Sequence, residues 1–187
     1  MENKTFEAMA SYAIACGAYK ANVIRADRIK TDPAFRDICA SNACGMYGRC
    51  YTCPPDIGDI DRLMAEIGTY DYALVYQTVT ELEDSYDFEG MMEAKSRIVP
   101  ITRALRTFFA EELGISDALH LDVGGCGVCE TCAKRVGEPC RAPELATPSL
   151  EGYGVNVSEL ARAAGMKYIN GQDTVTYFGA VLFNEEA

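Results

Sequence analysis

Eight of the nine cysteines fall into two groups of four, an arrangement typical of a metal-binding protein. The downstream group consists of Cys126, Cys129, Cys132 and Cys140. Its first three thiols are separated by two-residue gaps, which let successive sulfurs turn inward on a tight loop. Glycines at 124, 125 and 127 would let the backbone approach closely and point N–H groups at sulfur. Because such overlapping gaps suit the separate corners of a cube, this group predicts a 4Fe–4S cluster.

A second group lies upstream, within 15 residues. It consists of Cys39, Cys44, Cys50 and Cys53, and Pro54-Pro55 follows directly. Bacterial ferredoxin runs also end in cysteine followed by proline. We therefore predict one or two 4Fe–4S clusters for the chain. Cys16 stands apart from both groups.

Three other interpretations of the cysteines compete with the iron–sulfur cluster. A disulfide framework is disfavoured, because the stretch Met1–Phe6 is polar, no apolar signal region follows it, and the cysteine count is odd. Structural zinc remains an alternative, although four-cysteine zinc sites usually show two CxxC pairs separated by a longer loop. Cys50 and Cys53 alone could form a redox dithiol.

Composition limits the classes of function. The 187 residues carry a net charge of −11, which argues against nucleic-acid binding because that role needs a basic surface. Hydrophobic residues make up 49% of the chain, enough for one sizeable core. No run of 18 apolar residues occurs, so no membrane span is expected. We expect a cytoplasmic, single-domain metal-binding protein over residues 1–187.

The hydrophobic pattern predicts an α/β fold with a small mixed sheet, flanking helices and two cysteine-rich loops. Strands are expected at 21–24, 72–80, 118–123 and 174–183. Helices are expected at 2–15, 60–67, 88–113 and from Asn156 to Gly165, with Pro100 kinking or breaking the third. His120, the one histidine, lies on a predicted strand, where a core or surface residue is the favoured interpretation over a cluster-tuning one.

The chain resembles the predicted metal-binding proteins of domain-of-unknown-function family 2284. Three ordered motifs carry the resemblance, from about Gly17 onward. They are Cys44-Gly45-Met46-Tyr47-Gly48 leading into Cys53-Pro54-Pro55, then Cys126-x2-Cys129-x2-Cys132 with Cys140-Arg141-Ala142-Pro143, and Pro148-Ser149-Leu150-Glu151-Gly152-Tyr153-Gly154-Val155-Asn156-Val157. The resemblance implies metal ligation by every grouped cysteine except Cys50, which departs from the family pattern, as does Cys16.

The expected role is electron transfer, or that of a redox accessory protein, with a redox partner protein. If Cys50 is not a ligand, the upstream cluster has three thiolates and an open iron. An open iron would favour an enzyme, by analogy with open catalytic metal sites. A zinc module that scaffolds an interaction is the remaining alternative. The sequence indicates neither substrate nor oligomeric state.

Overall fold

A computed structural model describes residues 3–185. The helices are α1 (Asn3–Ala15), α2 (Ala34–Ala40), α3 (Ile60–Ile67), α4 (Phe88–Ser96), α5 (Ile98–Thr107) and α6 (Val157–Ala163). The strands are β1 (Lys20–Arg25), β2 (Tyr72–Glu81), β3 (Leu119–Leu121) and β4 (Thr174–Phe183). Short 3₁₀ turns lie at Ala26–Arg28, Ala133–Val136 and Glu151–Tyr153, and a π-helical turn lies at Phe108–Glu112.

The four strands form one sheet in the order β1-β2-β4-β3. All three strand pairs are antiparallel, so the expectation of a mixed sheet is wrong in this respect. The hydrophobic pattern marks which residues are buried in a strand but not the direction of its neighbour, which explains the error. A parallel pairing does occur as an isolated bridge between Asp122 and Ser149, outside the named strands.

Helices cover both faces of the sheet, which confirms the α/β class. Alternate residues of β2 point to opposite faces, as the two-residue period of a strand requires. Leu74 and Tyr76 pack with α1 and α5, whereas Ala73 and Val75 pack with α3 and α6. Each face has its own buried cluster, so the fold has three layers. Within residues 3–185, none of the helices has the length and apolar content needed to cross a bilayer.

Most predicted elements are confirmed, with shifted ends. Strand β4 has the expected bounds, and Asn156 begins α6 by accepting a hydrogen bond from Glu159 N at 3.2 Å. The expected helix over 88–113 divides at Arg97 into α4 and α5. Pro100 lies in the first turn of α5, where a missing N–H is tolerated. Helix α2 was not predicted.

Gly179 is required by the packing of the sheet. It lies opposite Tyr76 in the β2–β4 register, and the Tyr76 ring is fully buried. A Cβ atom at position 179 would overlap this ring, approaching its Cε2 atom to 2.7 Å. The ring cannot retreat easily, because its hydroxyl is hydrogen-bonded to Thr102 Oγ1 at 2.7 Å.

We therefore predict that Gly179→Ala lowers the free energy of unfolding by about 1–3 kcal/mol, the usual cost of overpacking a core. Urea denaturation followed by circular dichroism measures this. Gly68→Ala is the control, because Gly68 is exposed and its φ of −69° suits alanine. Equal stability of the two variants would contradict the prediction.

Candidate metal centre

The upstream cysteines are positioned by helix α2 and by the loop that follows it. Cys39 lies in the last turn of α2, and the other three thiols lie in the loop between α2 and α3. Three of the four, Cys39, Cys44 and Cys53, line a cavity of about 250 Å³. The remaining lining residues are Met46, Tyr47, Pro54, Val123, Gly124, Gly125, Ser149 and Glu151. The structure thus brings three thiols of this group to one space, which we call the upstream cavity.

Cys50 lies beside the upstream cavity but is not among the residues that line it. It is 1% exposed, and its sulfur is 3.3 Å from Thr52 Oγ1. Hydrogen bonds from the Cys53 thiol, and then from Thr52 and the Cys126 N–H, lower the pKa of Cys50. The bond to Cys50, together with burial, raises the pKa of Cys53. Cys50 is therefore held among polar groups, one of which is the Cys53 thiol that lines the upstream cavity.

The downstream cysteines lie in a loop that begins after strand β3 and whose far end returns to pair with Asp122, the residue that follows β3. Asp122 N donates to Pro148 O at 2.8 Å, and Leu150 N donates to Asp122 O at 3.0 Å. These bonds close the loop. The four cysteines Cys126, Cys129, Cys132 and Cys140 all line one narrow cavity of about 20 Å³. The structure thus brings together all four thiols predicted to act as one set, around what we call the downstream cavity.

A buried polar chain fixes the start of the downstream loop. Thr102 Oγ1 donates to Asp122 Oδ2 at 2.8 Å, and Val123 N donates to Asp122 Oδ1 at 2.8 Å. Tyr76 is hydrogen-bonded to the same threonine. Burial raises the pKa of Asp122, while the Thr102 and Val123 bonds oppose that rise. Because Asp122 is bonded at its side chain and its backbone, the loop leaves the sheet in a defined direction.

The two cysteine loops touch directly. Cys126 N donates to Thr52 Oγ1 at 3.3 Å, and Tyr51 OH donates to Glu138 O at 2.7 Å. Gly125 allows a close approach, because a Cβ atom there would lie 3.6 Å from Cys53 Sγ and would overlap Met46. The two cysteine groups thus lie on the same side of the domain. Each cavity is therefore a neighbour of the other.

Positive side chains surround the downstream thiols. A hydrogen bond to Glu138, and more weakly the nearby Cys129 and Cys132 thiols, raises the pKa of Arg141. Lys134 is also near Cys132 and forms an ion pair with Asp56 of the upstream loop. These cations offset the negative charge that deprotonated thiols would carry.

Two polar residues that line the upstream cavity, and a third close to it, were not identified from the sequence. Arg36 donates to Gly58 O at 2.9 Å and to Gly152 O at 3.1 Å, which ties α2 to the loops around the cavity. Ser149 and Glu151 line the cavity itself. Burial raises the pKa of Glu151. Ser149 and Glu151 both lie in the third sequence motif of the family resemblance, and that position is the signal by which they could have been identified.

The donors are not gathered as tightly as a single ion requires. Within residues 3–185, no three histidine, cysteine or acidic side chains converge closely enough to hold one metal ion. A tetrahedral zinc site needs its four donors within about 2.3 Å of one point. In each group, thiols line a cavity without meeting at one point.

A family model described as a predicted metal-binding protein, DUF2284, matches residues 22–183. The chain belongs to this family. The match contains both cysteine loops and all four strands, except the first two residues of β1. It begins after Cys16 and therefore does not include that cysteine. No curated protein and no solved structure matches the chain. Family membership, together with two cavities that are each lined by several cysteines, indicates metal binding without specifying the metal.

His120 belongs to the core. It is 4% exposed on β3, its ring centroid is 6.2 Å from that of Phe109, and its Nδ1 atom has no hydrogen-bond partner in the described part of the chain. Burial, with a smaller contribution from Arg106, lowers its pKa to about 3. The ring is therefore neutral in the folded protein.

We predict that His120 does not titrate between pH 8 and about 5. An unfolded histidine has a pKa of about 6.5, so the unfolded chain gains a proton that the folded chain does not. The stability that neutral His120 contributes is complete above pH 6.5 and is lost as pH falls toward 3. Because the chain has one histidine, NMR of the imidazole nuclei measures this without assignment. A titration midpoint near 6.5 would contradict the prediction.

Proposed function

We propose that the protein binds 4Fe–4S clusters at both cysteine groups and transfers electrons. The observation that carries this proposal is the direct contact between two cysteine loops, each of which lines a cavity with several thiols. Thiolate is the ligand that iron–sulfur clusters take. The overlapping two-residue gaps of the downstream cysteines suit the separate irons of a cube better than one zinc ion, whose four-cysteine sites usually show two CxxC pairs separated by a longer loop.

The residues present fit such clusters. Cys126, Cys129, Cys132 and Cys140 would hold the downstream one, and Cys39, Cys44 and Cys53 would hold the upstream one. The downstream cavity is narrow, so its loop has to widen around a cluster, as is common where a metal site forms on binding. A bound cluster accepts and releases single electrons at a potential set by hydrogen bonds to its sulfurs, net charge and exposure.

The chain's own groups would tune that potential. Gly124 and Gly125 bring backbone against the upstream cavity, and Lys95 holds this segment by donating to Gly125 O at 3.2 Å. Arg141 and Lys134 place positive charge beside the downstream thiols. Positive charge favours the reduced, more negative cluster. A redox partner protein in the cytoplasm would exchange electrons with it, without nucleic acid or membrane.

A second candidate function is an enzyme that binds a small molecule at an iron of the upstream cluster. The observation that favours it is the number of thiols at the upstream cavity, which is three. A metal with an open position can act as a Lewis acid. A substrate-dependent change in the absorption spectrum would separate this function from simple electron transfer.

We predict that protein purified without oxygen is brown and contains iron and acid-labile sulfide. Cys129→Ser should remove about one cluster's worth of iron, because serine is a poor ligand for soft iron–sulfur chemistry. Cys16→Ser is the matched control, since Cys16 lies outside both groups and should leave iron unchanged. Iron content that does not fall in Cys129→Ser, or zinc alone in the native protein, would refute the assignment.

Metal removal should loosen both cysteine loops. These loops contain few buried apolar residues, so metal binding contributes to their folding. We predict that a chelator under reducing conditions lowers hydrogen-exchange protection at 39–57 and 126–144. The amides of β2 and β4, at the centre of the sheet, are the internal control and should change less. Equal protection of the loops with and without metal would contradict this.

A further inference from the structure

We propose that Glu151 is the non-thiolate ligand of the upstream cluster, completing the set of Cys39, Cys44 and Cys53. The inference rests on the proposed function and deepens it, because it assigns the fourth position of that site. Carboxylate oxygen is an established ligand for iron in proteins. Of the residues that line the upstream cavity, Glu151 is the one that carries a carboxylate.

Hydrogen bonds of the backbone on either side of Glu151 fix its position at the cavity. It begins the 3₁₀ turn Glu151–Tyr153, directly after the bond from Leu150 N to Asp122 O that closes the downstream loop. Ser149 Oγ accepts from Gly152 N at 3.0 Å and also hydrogen-bonds the Glu151 carboxylate. The turn is thus held by the sheet edge on one side and by Ser149 on the other. A ligand needs such support to stay in position.

The Glu151 carboxylate is not engaged by a cation. Among residues 3–185, no lysine or arginine forms an ion pair with Glu151. The Arg36 guanidinium donates instead to the Gly58 and Gly152 carbonyls. Glu151 is half-buried, and a half-buried carboxylate without a positive partner is stabilised when it coordinates a metal. Iron in the upstream cavity would supply that partner.

Cys50 is the competing fourth ligand. It does not line the cavity, and its sulfur is hydrogen-bonded to Thr52, to the Cys126 N–H and to the Cys53 thiol. To bind a cluster it would have to turn toward the cavity and give up its bonds to Thr52 and Cys126. Glu151 needs no such change, because it already lines the cavity together with the three thiols.

The test is Mössbauer spectroscopy of protein reconstituted with iron-57, with iron counted per chain. We expect one iron of the upstream cluster to differ from the others in isomer shift, as oxygen ligation requires. Glu151→Cys should convert that iron to the thiolate type without loss of iron. Glu151→Gln should lose the distinct signal or the iron that gives it. Cys50→Ala should retain both the iron and the distinct signal.

Glu144→Gln is the matched control, because Glu144 is an exposed acidic residue in the downstream loop and should change nothing. Loss of the upstream cluster in Cys50→Ala, or an unchanged spectrum in both Glu151 variants, would overturn the inference while leaving cluster binding intact. Cys53→Ser tests separately whether the upstream group binds a cluster at all. If this variant contains as much iron as the unsubstituted protein, the upstream group holds no cluster, and the proposed function is wrong for that group.

Discussion

Both cavities depend on the backbone pairing of Asp122 with Pro148 and Leu150. This pairing anchors both ends of the downstream loop at the sheet edge. The loop contains few apolar residues, so it depends on this anchoring for its conformation. The Asp122 side chain adds to it, because its bonds to Thr102 and Val123 connect the loop to the interior of the fold. Since Glu151 follows Leu150 directly, the same hydrogen bonds also position Glu151 at the upstream cavity. One set of hydrogen bonds thereby supports two groups of thiols that are distant in sequence.

The two centres differ in a way that suggests different tasks. The downstream cavity is lined by four cysteines, has little free space and is flanked by cations. The upstream cavity is lined by three cysteines, is larger and contains a carboxylate. A fully thiolate-bound cluster suits electron storage and transfer, whereas a cluster with one oxygen ligand can exchange that ligand for another molecule. Because the loops touch through Thr52 and Cys126, an electron held at one centre would be close to the other.

Much of the fold follows from the sequence, because the period at which hydrophobic residues recur distinguishes strands from helices. The pattern of β-forming residues at 174–183 predicts β4 with its true bounds, and the spacing of the downstream thiols predicts the set that the structure brings together. Strand direction and helix α2 could not be predicted. Antiparallel pairing is a property of two segments, and α2 is only seven residues long with no buried side chain to mark a period.

The roles of Cys50 and Glu151 could not be separated from spacing alone. Two residues separate Cys50 from Cys53, which is the spacing of a ligand, yet only Cys53 of the two lines the cavity. Glu151 is 98 to 112 residues from the three thiols of that cavity, and nothing in its local sequence marks it as a partner of theirs. The structure adds that Glu151 lines the upstream cavity and Cys50 does not, because tertiary contacts decide which side chains share a cavity. A motif therefore lists the candidate donors of a site, while the hydrogen bonds around each donor determine which of them are free to bind.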